Sequence, residues 1–162
     1  MTNASFPAFP ALNLPPTDHP VRKRITEEGE PQIFDRQRQK WVKLTPEEWV
    51  RQHFVNFLVE RLEYPAGRVA NEVSIRVGKT SKRCDTVVYN ATGKPLMIVE
   101  YKATSVQLTP EVFQQVARYN IPLQVDYLVV SNGLHHYVLH LERSPEPKWV
   151  FLNEIPHFDT LL

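Results

Sequence analysis

Apolar positions along the chain change period from segment to segment, and each change marks an element. In "TPEEWVRQHFVNFLVERLEYP", Trp49, Val50, His53, Phe54, Phe57, Leu58 and Leu62 recur every three or four residues and predict a helix with one broad apolar face. The opposite, polar face carries Glu47, Arg51, Gln52, Asn56 and Glu60. Thr45 fits the N-cap, Pro46 the first helical position, and Glu48 the far side of a capping box. Pro65 and Gly67 mark the exit. The period then falls to two. In "VANEVSIRV", Val73, Ile75 and Val77 share one side of a strand, with Glu72, Ser74 and Arg76 on the other.

A polar turn, "GKTSKR", leads to two more strands near 84–89 and 96–102, joined by "NATGKP". The helical period returns at Thr109-Pro110-Glu111, runs through "VFQQVARYN" and stops at Pro122. "DYLVVSNGLHHYVLHLE" reads as two strands joined by Asn132-Gly133, and "KWVFLNEIPHFDTLL" adds one more short apolar segment. Upstream, Ile33-Phe34 and Trp41-Val42 flank a polar stretch and predict a short hairpin. The order helix-strand-strand-strand-helix-strand-strand predicts an α/β domain, with a mixed central sheet flanked by helices, over residues 33–162. Residues 1–32 are expected to form a separate arm. Six of the fourteen prolines fall there, which excludes a continuous helix or a central strand. Its basic run Arg22-Lys23-Arg24 reads as a solvated patch.

Composition excludes more than it assigns. The chain is 42% hydrophobic and 23% charged, ordinary values for a soluble domain, and its formal charge of +1 argues neither for nor against a nucleic-acid partner. A single cysteine, Cys84, rules out an internal disulfide and a cysteine zinc site. No apolar run reaches the roughly 20 residues that span a bilayer. "MTNASFPAFPALNLPP" has no basic segment before an apolar core, so the expectation is a cytoplasmic protein with no membrane partner. His135, His136 and His140 do not make a metal set, because on a strand His135 points away from the other two.

The hairpin "CDTVVYNATGKPLMIVEYKA" raises the chemical question. Glu100 and Lys102 share a face of one strand, while Asp85 shares a face with Val87 and Tyr89 on the other. If "NATGKP" is a six-residue loop, Tyr89 opposes Leu96 and Asp85 opposes Glu100. Directly opposed residues have Cβ atoms about 4.5–5.5 Å apart, so two carboxylates there need a proton, a cation or a metal ion. Lys102 offers one positive charge, and a hard divalent ion such as Mg²⁺ suits an oxygen pair. The alternative is a solvent-facing Glu-x-Lys pair with Asp85 as a turn residue. Against it stands "PLMIVEYKA", apolar on both faces until the charges appear, as in a central strand that ends at a cleft.

This set of residues resembles the PD-(D/E)xK nuclease superfamily. More narrowly, residues 33–158 resemble the N-terminal nuclease domain of type I restriction enzyme R subunits. The resemblance is carried by Arg83, Asp85, "GKPLMIVEYKA", Gln115, "RYN" at 118–120 and Asn132-Gly133. It implies a restriction-endonuclease-like core and a magnesium-dependent endonuclease, with Mn²⁺ able to substitute. Asp85, Glu100 and the main-chain carbonyl of Tyr101 would hold the metal, and Lys102 would orient or deprotonate water. Gln115 and Tyr119, four apart on one helix face, match a motif found beside the site and the DNA backbone; a merely half-buried pair fits them equally well. Many members add an upstream acid, for which Glu48, Glu60 and Glu72 all stand open. Cys84 occupies the place of the family's namesake proline.

Two other classes of function compete with the enzyme. No G-x-x-x-x-G-K-[ST] stretch occurs, so the chain carries no helicase motor of its own. It could then be a catalytically silent or partner-dependent nucleic-acid-binding module of a restriction or repair system, with a partner protein supplying target recognition. A dimerising scaffold is the third class, since restriction-type nucleases often cut as homodimers.

Overall fold

The computed structural model describes residues 4–161. Two sheets and two long helices make up the domain. A small sheet comprises β1 (Lys23–Ile25), β2 (Pro31–Asp35) and β3 (Lys40–Lys43), antiparallel throughout. Helix α1 (Pro46–Glu60) follows, then β4 (Val69–Val77), β5 (Thr80–Tyr89) and β6 (Pro95–Tyr101). Helix α2 (Pro110–Asn120) leads to β7 (Tyr127–Ser131), β8 (His136–Glu142) and β9 (Lys148–Leu152). The large sheet runs β4-β5-β6-β7-β8-β9 and is mixed: β6 and β7 are parallel, every other neighbouring pair antiparallel. A parallel pair needs a crossover, and α2 with its flanking loops supplies it.

The helices cover opposite faces of the large sheet. On one face Val50, Phe54 and Leu58 of α1 pack with Met97, Val99, Tyr101 and Val129. On the other, Val116 of α2 packs with Val87, Ile98, Leu128 and Val130. Strand β6 is therefore buried from both sides, which is why its sequence is apolar without alternation.

The polar face of α1 is not a solvent face. Glu48, Arg51, Gln52 and Asn56 are all buried. The N-terminal arm and the small sheet lie over this side of the helix. Asn56 donates to the His19 carbonyl at 3.1 Å and Arg38 reaches Glu48 at 3.3 Å, while at the edge of the apolar face Phe9 stacks on Trp49 with ring centroids 5.3 Å apart. The capping box is also only half formed. Thr45 Oγ1 accepts the Glu48 N–H at 3.1 Å, but the Glu48 carboxylate turns to Arg38 and Arg51 instead of back to Thr45. A helical pattern shows which residues are polar, and cannot show what else will pack on them.

The first 32 residues include β1 and the start of β2. Arg22, Lys23 and Arg24 are exposed, yet each lies over an aromatic ring: Arg22 over Phe34 at 4.6 Å, Lys23 over Trp49 at 5.1 Å, Arg24 over Trp41 at 4.3 Å. The arm is pinned again where Asn13 N–H donates to the Gly133 carbonyl at 2.8 Å. Gly133 has φ +86°, and a Cβ there would sit 2.6 Å from Leu12 Cδ2 and 3.2 Å from Val50 Cγ2. Only glycine lets arm, helix and β7–β8 turn meet so closely.

Candidate active site

Strands β5 and β6 pair Thr86 with Val99, Val87 with Ile98 and Val88 with Met97. Continuing that register sets Asp85 against Glu100, just past the last Thr86–Val99 pair of the β5–β6 ladder. Loop counting puts Tyr89 opposite Leu96, and this is wrong. An irregularity between Val88 and Tyr89 sets Tyr89 against Pro95. The slip is confined to the turn, because the buried faces on both sides of β6 hold the rest of the register.

Asp85 is fixed at both ends. Its Oδ2 accepts the Tyr101 N–H at 2.9 Å, and its main-chain carbonyl accepts from Arg51 Nη1 at 3.1 Å. Glu72 enters from β4, where its φ of +56° breaks the pairing between Asn71–Thr86 and Val73–Cys84. The kink aims the Glu72 carboxylate at Arg51 Nη1 and Arg83 Nε, both at 2.7 Å. Thr45, Glu47, Glu48, Arg51, Glu72, Asp85, Glu100, Tyr101 and Lys102 line a cleft of about 290 Å³. A second hollow of about 210 Å³ shares Glu100 and Lys102 and adds Gln115 and Tyr119. Of the three upstream acids, Glu48 and Glu72 line the cleft and Glu60 does not; it pairs with His19.

The electrostatics separate the acids. Glu72 is held below its ordinary range: burial would raise it, but the bonds from Arg51 and Arg83 prevail. Asp85 moves up through burial, opposed by the Tyr101 N–H and Arg51. Glu100 is pushed up to about 7 by burial and by Asp85, with Lys102 offsetting part of the rise. Among the described residues neither Glu100 nor Lys102 has an ion-pair partner within 4 Å. Two half-buried carboxylate groups, one poorly compensated, form an oxygen donor set that fits a hard divalent cation. Cys84, in contrast, is pushed up to about 11 by burial and the two nearby carboxylates, which makes it an inert thiol.

Behind the cleft runs a polar chain that the sequence pattern does not reveal. Tyr101 Oη donates to Thr86 Oγ1 at 2.9 Å, and Thr86 Oγ1 donates to Asn71 Oδ1 at 2.7 Å. Asn71 Nδ2 donates to Asp35 at 3.2 Å, Asp35 takes Arg38 Nε at 2.7 Å, and Arg38 returns to Glu48 at 3.3 Å. Asp35, Asn71 and Thr86 are buried, but each sits in a strand with other polar residues, so nothing in the pattern singles them out. Arg51 is the main omission, since nothing in a helical period distinguishes it from a solvated arginine. The histidines stay outside the site: His136 bonds Ser131 and Asn13, His140 stacks on Tyr127, and His135 is exposed. Among the described residues, a three-member ligand cluster occurs only away from the cleft, at Glu63, His157 and Asp159.

A family model for the type I restriction enzyme R protein N terminus matches residues 46–156, the span that holds every cleft residue except Thr45. The chain belongs to this family. No curated protein matches it. In this R-protein N-terminal domain no helix among the described residues is long and apolar enough to cross a membrane.

Proposed function

We propose that the domain is a metal-dependent nuclease with a restriction-endonuclease-like PD-(D/E)xK core that hydrolyses phosphodiester bonds of DNA. Asp85, Glu100 and the main-chain carbonyl of Tyr101 are the residues that would hold Mg²⁺, or Mn²⁺ in its place. A bound ion supplies Lewis-acid polarisation of the phosphoryl oxygen and a lowered pKa for water. The chain's own residues do the rest. Lys102, two residues beyond Glu100 and without an ion-pair partner among the described residues, orients the attacking water and adds positive charge where the phosphate becomes more negative. Asp85 is kept in place by the Tyr101 N–H and by Arg51. Gln115 and Tyr119, lining the adjoining hollow, are suited to the backbone of the bound strand.

One observation carries this reading: Asp85 of β5 and Glu100 and Lys102 at the end of β6 line one cleft. The family supports a nuclease-related role. Incubation of supercoiled plasmid with the protein in Mg²⁺, Mn²⁺ or EDTA is the test, with Asp85→Asn in parallel. Asparagine can still accept the Tyr101 N–H, so the fold is retained. Nicking that needs metal and drops at least a hundredfold in Asp85→Asn is the expected result. Equal nicking by both proteins would remove Asp85 from the chemistry. Failure of both in every metal would favour the binding-only module that depends on a partner chain.

A further inference from the structure

The hairpin that joins β4 to β5 carries charge that the cleft does not use. From Ser74 to Arg83 the chain reads "SIRVGKTSKR", with four basic residues and no acidic one. The whole chain is only +1, so the remainder is net negative. Positive charge is gathered on one projection.

Its arrangement is specific. Ser74 pairs with Arg83 and Arg76 with Ser81, so these four side chains share one face, and all four are exposed. That is the face of Glu72, whose carboxylate holds Arg83 and lines the cleft. The stripe therefore begins at the cleft wall and runs outward to Lys79 in the turn. The other face is anchored. Ile75 packs in the α2-side core, Lys82 Nζ lies 4.2 Å over the Tyr119 ring, and Tyr119 Oη donates to the Arg83 carbonyl at 3.4 Å. Neither Arg76 nor Lys79 has an ion-pair partner among the described residues.

We propose that this β4–β5 hairpin is the track that holds the backbone phosphates of duplex DNA beside the bond being cut, with Arg83 innermost and Arg76 and Lys79 outermost. The inference rests on the nuclease reading and adds the surface that grips the substrate. Arginines interleaved with small hydroxyls suit phosphate oxygens, and such contacts fix position without reading sequence. An acidic protein partner would find the same charge, but it would have no reason to need a stripe that starts at a phosphodiester cleft.

The test measures binding of a short fluorescein-labelled DNA duplex by anisotropy in EDTA, where no cleavage occurs. Salt is varied between about 50 and 200 mM. The wild-type protein is compared with Arg76→Ser/Lys79→Ser, and with Arg143→Ser/Lys148→Ser, which removes the same charge from the β8–β9 end. Each phosphate contact contributes about 0.9 to the logarithmic salt slope, so the hairpin variant should lose nearly 2 from that slope and roughly tenfold in affinity. Lys79→Ser alone, at an exposed turn, should lose about 0.9 from the slope and roughly threefold in affinity. The β8–β9 variant should bind as the wild type does. Unchanged binding by the hairpin variants, equal loss in the β8–β9 control, or no duplex binding by the wild type would each overturn the proposal. The nuclease reading is judged separately by metal-dependent nicking: binding that depends on the hairpin without nicking would leave the track and remove the enzyme.

Discussion

Arg51 and Asp85 are joined through the main chain: the guanidinium Nη1 donates to the Asp85 carbonyl oxygen at 3.1 Å. The same buried guanidinium bonds Glu48 and, at 2.7 Å, Glu72. Three elements, α1, β4 and β5, therefore converge on one cation. A lysine also has three donors, but they radiate from one nitrogen, so it cannot reproduce the spread of the planar fork across the three elements.

Arg51→Met should destabilise the domain by about 2–4 kcal/mol, because buried Glu48 would keep only its Arg38 ion pair and half-buried Glu72 only its Arg83 ion pair. Arg51→Lys should recover part of the stability, seen in urea unfolding, while metal-dependent nicking stays at least tenfold down because Asp85 is no longer held. Equal recovery of stability and nicking by lysine would mean that charge alone suffices and that the fork geometry is irrelevant.

How far this arrangement was legible in the sequence differs residue by residue. Asp85, Glu100 and Lys102 could be brought to one strand end from alternation and a counted loop, since buried faces fix a register that even a turn irregularity at Tyr89 does not disturb. Arg51 and Glu48 could not. Their spacing on α1 is that of a solvated face, and only the packing of the small sheet and the arm makes them interior. Glu72 was one of three open candidates, because a positive φ in mid-strand is a tertiary feature with no local signature. Asp35 follows Ile33-Phe34 in the predicted hairpin, and nothing in that pattern sets it apart.

Glu100 and Lys102 should separate holding a metal from using it. The folded-state pKa of Glu100, about 7, lies above its ordinary 4.5. The ionised form is thus the disfavoured one, and stability from this group is full below 4.5 and declines as pH rises through about 7. Glu100→Gln should remove that decline and raise the stability of the metal-free protein at pH 8 by about 1–3 kcal/mol. It should also abolish stabilisation by Mn²⁺. Lys102→Ala should keep Mn²⁺-induced stabilisation and lose nicking by at least a hundredfold. Thermal melts with and without Mn²⁺ check both, and a Glu100→Gln protein less stable than wild type at pH 8 would contradict the first.

Asp35 governs the acid side. Burial would raise its pKa, but the Arg38 N–H, the Arg38 side chain and Asn71 together hold it below the ordinary 3.8. A depressed carboxylate contributes stability that is full above 3.8 and lost as pH falls through the folded value. Loss of wild-type stability as pH falls below the ordinary 3.8 should therefore steepen because of this group. Asp35→Asn should flatten that limb while lowering stability at pH 7 by about 2–4 kcal/mol, since Arg38 loses a buried partner. Parallel acid limbs for the two proteins would exclude Asp35 as a source of the pH dependence.

Gly133 ties the N-terminal arm to the rest. Its φ of +86° disfavours any side chain, and an added Cβ would lie 2.6 Å from Leu12 Cδ2. The Val50 contact, at 3.2 Å, comes from a buried helix residue and cannot yield easily, whereas Leu12 belongs to an arm that can lift. Gly133→Ala should accordingly cost about 1–3 kcal/mol and expose the arm to protease, with cleavage near residues 10–20 as the readout. Leu12→Ala added to Gly133→Ala should return part of the stability, because it removes the nearer clash and leaves the backbone strain. Leu12→Ala alone should be destabilising, since it only removes packing, so the two changes must be non-additive. Additive losses in the double variant would show that the arm does not press on Gly133 and that the strain is local to the turn.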